Sequence, residues 1–145
     1  EKIEETTNMM LGQFKNHNIF LQVNENDFVI NGFPNEFQQV ILNIVNNAKD
    51  AFIEKGINNG NIDIDIQKSD NIGTIIIKDN AGGIPQEIID RVFEPYFTTK
   101  EQGKGTGLGL YMSKMIIEDN MDGKLYVNNI DDGAQFTLEW KLINE

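Results

Sequence analysis

The chain has 145 residues, 39% hydrophobic and 9% aromatic, which suits one globular domain with its own core and argues against disorder. Its formal net charge of −11 repels nucleic-acid phosphates and anionic lipid heads, so nucleic-acid binding and direct membrane contact by this domain are disfavoured. No cysteine is present, no apolar run approaches the roughly 20 residues of a membrane span, and the start Glu1-Lys2-Ile3-Glu4-Glu5 lacks signal-peptide order; disulfides and thiolate metal sites are excluded and a cytoplasmic location is permitted.

Residues 1–15 read as the end of a polar helix continuing from a preceding domain, with the globular domain occupying 16–145. Apolar runs at 19–23 and 28–30 predict a small hairpin through Asn24-Glu25-Asn26. A helix is expected from Pro34, which suits a first turn, to about Lys55. At ~100° per residue, Phe37, Ile41, Val45, Ala48 and Phe52 share one face. Gln39, Asn43, Asn47, Asp50 and Glu54 share the opposite one, which periodicity alone assigns to solvent. Two strands follow. In the first, Ile62, Ile64 and Ile66 alternate with Asp63, Asp65 and Gln67; the second, 72–78, is more apolar and ends at Asp79.

No regular pattern appears between Arg91 and Gly107, where a mobile lid would sit. A second helix is predicted to begin near Gly107, to point Leu110, Met115 and Ile116 inward with Met112 and Met115 as core filling, and to end near Asp122-Gly123. Strands 125–130 and 134–142 form a hairpin through Asp131-Asp132-Gly133. The expected class is α+β, a two-layer α/β sandwich with a mixed sheet covered on one face by helices.

The run Gly105-Thr106-Gly107-Leu108-Gly109-Leu110 reads as a nucleotide pocket without a P-loop. Glycines let backbone N–H groups approach a polyphosphate, and a helix beginning there adds the positive end of its dipole. The run has neither the Gly-Lys-Ser/Thr triplet of a P-loop nor the G-x-G-x-x-G spacing of a dinucleotide fold. In so acidic a chain a bound triphosphate needs local cations; the candidates are Mg²⁺, Arg91, Lys100, Lys104 and Lys114, with the helix terminus.

Asn43 and Asn47, four apart, can present amide oxygens to a shared cation or phosphate-bound water, although such a pair alone is an ordinary wet helix face. Asp79 ends a strand before Asn80-Ala81-Gly82-Gly83, leaving room for a flat ring beside a carboxylate that accepts from an exocyclic amine; alone, it is a turn. Phe93-Glu94-Pro95-Tyr96-Phe97, before Thr98-Thr99-Lys100, either anchors a loop or brings Lys100 towards a γ-phosphate. His17, the only histidine, has no adjacent carboxylate and reads as an incidental surface residue.

Taken in order, these segments resemble the histidine-kinase-like ATPases of the GHKL or Bergerat fold, and within them the catalytic ATP-binding domain of bacterial two-component sensor histidine kinases. Residues 39–48 match the N box, 79–83 the G1 box, 92–100 the F box and 105–110 the G2 box. The resemblance implies that Asn47 coordinates Mg²⁺, that Asn43 assists at the phosphates, and that Asp50 lines the same wall. It implies that Asp79 reads the amino group of adenine, with Gly83 and Ile84 beside the ring. Gly103, Lys104, Gly105, Thr106, Gly107, Leu108 and Gly109 would serve the triphosphate, with Lys100 at the γ-phosphate and residues 93–104 as lid. Gyrase-like and chaperone-like members place a glutamate where this chain has Asn43, and a neutral amide is a poor general base, which favours phosphoryl transfer over vigorous hydrolysis. The implied acceptor is a histidine on a separate dimerisation domain, which serves a response regulator in turn. No histidine followed by an acidic residue occurs in this sequence, so the chain reads as a kinase core without its acceptor. A GHKL-type serine kinase or weak ATPase, and a nucleotide-gated binding module, are the alternative readings.

Overall fold

The computed structural model describes residues 19–24, 30, 32–97 and 108–142. The expected boundary after residue 15, His17 and residues 25–29, which hold most of the turn and second arm of the first expected hairpin, lie outside them. Among the described residues, five strands form one sheet in the order β1-β2-β3-β5-β4: β1 (Ile19–Asn24), β2 (Gly60–Ser69), β3 (Ile72–Asp79), β4 (Lys124–Ile130) and β5 (Gly133–Lys141). The strand β1 runs parallel to β2, with Leu21 opposite Ile62, and every other pair is antiparallel. The crossover that a parallel pair requires is the long helix α1 (Pro34–Lys55).

Local chemistry sets the limits of α1 where the sequence predicts them. Pro34 fixes the first turn, Glu36 and Lys55 complement the dipole at the two ends, and Gly56 takes the left-handed conformation (φ 68°). There the N–H of Ile57 donates to the Phe52 carbonyl at 2.9 Å, so the chain turns sharply into β2. Phe37, Ile41, Val45, Ala48 and Phe52 are all buried, together with Val40 and Ile44. They rest on the inner face of the sheet, made by Ile62, Ile64 and Ile66 of β2, Ile75 and Ile77 of β3, and Phe136, Leu138 and Trp140 of β5. Phe37 meets Trp140 with ring centroids 6.4 Å apart. The alternate residues Asp63 and Gln67 face solvent, so the helices cover one side only, and the expected two-layer sandwich is the observed architecture.

The second helix, α2 (Gly109–Met115), passes into one π-helical turn at Ile116–Asn120. Here the predicted facing needs correction. Ile116 is buried and Leu110 partly buried as predicted, and Ser113 and Ile117 are buried with them, whereas Met112 and Met115 are 51% and 42% exposed. The π turn at 116–120 brings both Ile116 and Ile117 into the core. The last hairpin forms as predicted, with Asp131-Asp132 as its turn and Gly133 already paired with Ile130. Among the described residues no helix is long and apolar enough to cross a membrane.

Candidate functional site

The stripe of α1 that periodicity assigns to solvent forms one wall of a cavity of about 700 Å³. Asn43, Asn47, Asp50 and Glu54 stand along it with Lys55 at the end. The facing wall is the end of β3 and its turn, Asp79 and residues 81–85; Ala134 and Phe136 of β5, Val92, Phe97 and the start of α2 complete the enclosure. Five of the residues expected to touch nucleotide base or metal, Asn47, Asp50, Asp79, Gly83 and Ile84, are thus brought together with Asn43 and Gly109. Such a cavity has one carboxylate among apolar surfaces at the sheet end, and amides with Asp50, Glu54 and Lys55 along the helix, which suits a flat heterocycle with a polar tail.

Asp79 is fixed before any ligand arrives. Its Oδ1 accepts from the N–H of Ala81 at 3.0 Å and of Ala134 at 3.2 Å. Among the described residues no bond falls on Oδ2, which leaves that oxygen to accept from a ligand. Burial raises the carboxyl above its ordinary value of 3.8. The two amides and the nearby Lys55 ammonium oppose that rise, and Asp132 adds to it. Lys55 also donates to the Ala81 carbonyl, tying the end of α1 to the turn.

The turn itself is glycine for a reason. Gly82 and Gly83 have φ of 91° and 80°, a region that side chains disfavour. The N–H of Gly82 donates to the Asp132 carbonyl at 2.8 Å. Next in the chain, Ile84 receives both its backbone bonds from one side chain: its N–H donates to Asn129 Oδ1 at 2.8 Å, and its carbonyl accepts from Asn129 Nδ2 at 2.6 Å.

At the other end, Asn43 joins the two helices. Its Nδ2 donates to the Gly109 carbonyl at 3.1 Å and to Ser113 Oγ at 3.0 Å, while its Oδ1 accepts from Gln39 at 2.8 Å. Ser113 donates in turn to the Gly109 carbonyl at 2.8 Å, which explains a fully buried serine. Leu108 caps α2 but does not line the cavity.

Two of the expected phosphate cations are engaged elsewhere. Lys114 donates to Glu118 at 3.0 Å and to the Leu125 carbonyl at 2.8 Å, and stands 4.9 Å from the Phe93 ring centre. Arg91 pairs with Glu94 at 3.3 Å and lies over Phe97 at 4.8 Å. Phe93 packs edge-on against Phe136 with centroids 6.2 Å apart, so the first half of the 93–100 segment anchors the loop to the core. Lys100, Gly103, Lys104, Gly105, Thr106 and Gly107, and with them most of the expected lid, lie outside the described residues.

Lys55, Ser113 and Asn129 are site residues that the sequence reading omits. Asn129 carried a legible signal, since it follows Leu125 and Val127 at inward-facing positions of β4, where a polar residue requires a partner. Lys55 had none, because its contact with Ala81 is made across the fold.

Residues 32–144 match the family described as histidine kinase-, DNA gyrase B-, and HSP90-like ATPase. The chain is similar to the two-component sensor PprA of Pseudomonas aeruginosa, 37% identical over 79% of this chain and 13% of that protein. It is also similar to sporulation kinase A of Bacillus subtilis, 36% identical over 95% of this chain and 22% of the kinase. It thus spans less than a quarter of the length of either relative. Among solved structures, the catalytic domain of histidine kinase ThkA superposes with a TM-score of 0.78 at 30% identity, covering 96% of this chain and 89% of that one. ThkA in complex with the response regulator protein TrrA gives 0.73 at 26% identity, covering 97% of this chain and 39% of that one.

Proposed function

This chain belongs to the histidine kinase-, DNA gyrase B- and HSP90-like ATPases, in their sensor histidine kinase branch, and on that premise we propose that it binds Mg²⁺·ATP in the cavity and donates the γ-phosphate to a histidine on a separate dimerisation domain. The observation that carries this reading is the held carboxylate of Asp79, with one oxygen saturated by two backbone amides and the other left to accept the amino group of adenine. Guanine presents an oxygen at that place and would set it against a carboxylate, so adenine is preferred.

Mg²⁺ suits the donors present. Among the described residues no three acidic or histidine side chains gather as a metal cage. A hard cation here would therefore be shared between phosphate oxygens, water and an amide oxygen, the mode in which Mg²⁺ commonly binds. Asn47, on the cavity wall one turn beyond the engaged Asn43, would hold it, and Asp50 lies near enough in sequence to line the same wall. When bound, Mg²⁺ supplies charge neutralisation to the triphosphate. Asn43 contributes by fixing the start of α2, whose N–H groups would face phosphate oxygens.

Transfer breaks the bond from the γ-phosphorus to the ADP oxygen as a bond to the imidazole nitrogen forms, with ADP leaving. The chain's share of that reaction is positioning and electrostatics. Asn43 stands where a hydrolytic base would be needed, and its amide already donates to Gly109 and Ser113, which supports transfer over hydrolysis. Lys100 is proposed at the γ-phosphate, with Lys104 and residues 103–109 along the chain of phosphates. The phosphorylated histidine would then serve a response regulator, as the named complex of ThkA suggests by similarity.

The test is incubation of the chain with [γ-³²P]ATP and a separately produced histidine-bearing dimerisation domain of a related sensor kinase. Acid-labile label on the histidine is expected. Label on serine, or release of inorganic phosphate alone, contradicts the kinase reading.

A further inference from the structure

Asn129 stands out because its side chain does for Ile84 what a neighbouring strand does for a strand residue. A single amide group satisfies both backbone polar groups of Ile84, at 2.8 and 2.6 Å, across a sequence separation of 45 residues. This bond pair lies at the mouth of the turn that lines the cavity, where the backbone has just passed through Gly82 and Gly83 at positive φ and has no ladder of its own. The approach is close enough to dictate composition: a β-carbon at Gly83 would fall 2.9 Å from Asn129 Oδ1. The inner face of β4 is otherwise apolar at Leu125 and Val127, so an amide at this place sacrifices core packing for the clamp.

We propose that Asn129 is a positioning residue for nucleotide binding: it holds Ile84, and through it the Gly82-Gly83 turn, at the width the base requires. The proposal rests on the reading of the cavity as an ATP site. Asn129 is absent from the cavity lining. Its hydrogen bonds reach the cavity through the backbone of Ile84, which does line it. Without the clamp, an N–H and a carbonyl beside the cavity lose their partners and the turn relaxes towards water or into the pocket.

Calorimetric titration with ATP, combined with amide hydrogen exchange of the nucleotide-free chain, tests this on the wild type and on Asn129→Ala and Asn129→Asp. The aspartate keeps the size and the acceptor for the Ile84 N–H but sets an oxygen against the Ile84 carbonyl, so it reports on the clamp if the alanine variant fails to fold. ATP affinity is expected to fall about tenfold or more in both variants. The Ile84 amide should lose protection while those of Ile64 and Ile75, in the core strands, keep theirs. A merely structural role would lower protection throughout and leave the affinity of the folded fraction unchanged. If the wild type binds ATP and a folded variant matches it, the proposal falls and the functional reading stands. If the wild type binds no ATP, the functional reading falls and takes the proposal with it.

Discussion

Gly133 lies so close to Asp79 that a β-carbon on it would fall 1.7 Å from the Asp79 carbonyl oxygen. This contact, together with the bond from the Ala134 N–H to Asp79 Oδ1 at 3.2 Å, makes the start of β5 the backing for the end of β3. The carboxylate at the sheet end is held by backbone, which does not move with rotamers.

Gly133→Ala is therefore predicted to destabilise the chain by about 2 kcal/mol or more, since the obstacle is main chain and strand separation must increase. Urea denaturation followed by Trp140 fluorescence measures this. An unchanged midpoint would contradict the packing described here.

Asp79→Asn separates stability from function. Burial raises the folded-state pKa of Asp79 above 3.8. The stability it contributes is then fully present below the unfolded-state pKa and lost as pH rises through the folded-state value. The wild type thus bears the cost of a buried carboxylate at neutral pH. The asparagine keeps an acceptor for Ala81 and Ala134 without the charge, so the variant should be at least as stable as wild type at pH 7. Its advantage should shrink on acidification towards pH 4. Thermal unfolding across that range checks the sign.

Asn43→Ala removes the donor shared by Gly109 and Ser113 and leaves only the Ser113 hydroxyl on the Gly109 carbonyl, so the tether between the two helices is lost. A loss of about 1–2 kcal/mol is expected, with weaker ATP binding. Gln39→Ala, which removes only the outer and exposed bond to Asn43, should cost less than about 0.5 kcal/mol. Equal effects of the two would show that the tether between the helices carries no weight.

Met112→Ser and Met115→Ser should each change stability by less than about 0.5 kcal/mol, because both residues are about half exposed and lie outside the buried core. Ile117→Ser, at a fully buried position one turn on, should cost several times more.

The methionines mark where sequence reasoning reaches its limit. The core face of α1 was legible because five apolar residues keep a regular helical period over four turns, and β2 because Ile62, Ile64 and Ile66 alternate cleanly. In α2 the period breaks at the π turn, a feature with no composition of its own, and the inward set keeps Ile116 but takes Ile117 in place of Met115. For the polar stripe of α1, periodicity gave solvent and only the order of the motifs gave a site. The structure shows that a helix face can be a cavity wall without changing its pattern. The contacts of Lys55 with Ala81 and of Asn129 with Ile84 are set by how β3, β4 and α1 meet, which no local window of sequence contains.

The cavity is proposed as an adenine-nucleotide site governed by Asp79. Calorimetric titration of the chain with ATP and GTP, with and without Mg²⁺, beside Asp79→Asn, tests it most directly. Mg²⁺-strengthened binding of ATP, little binding of GTP, and loss of ATP binding in a variant that remains folded are predicted. Equal binding of ATP and GTP, or ATP binding that survives Asp79→Asn, would contradict it.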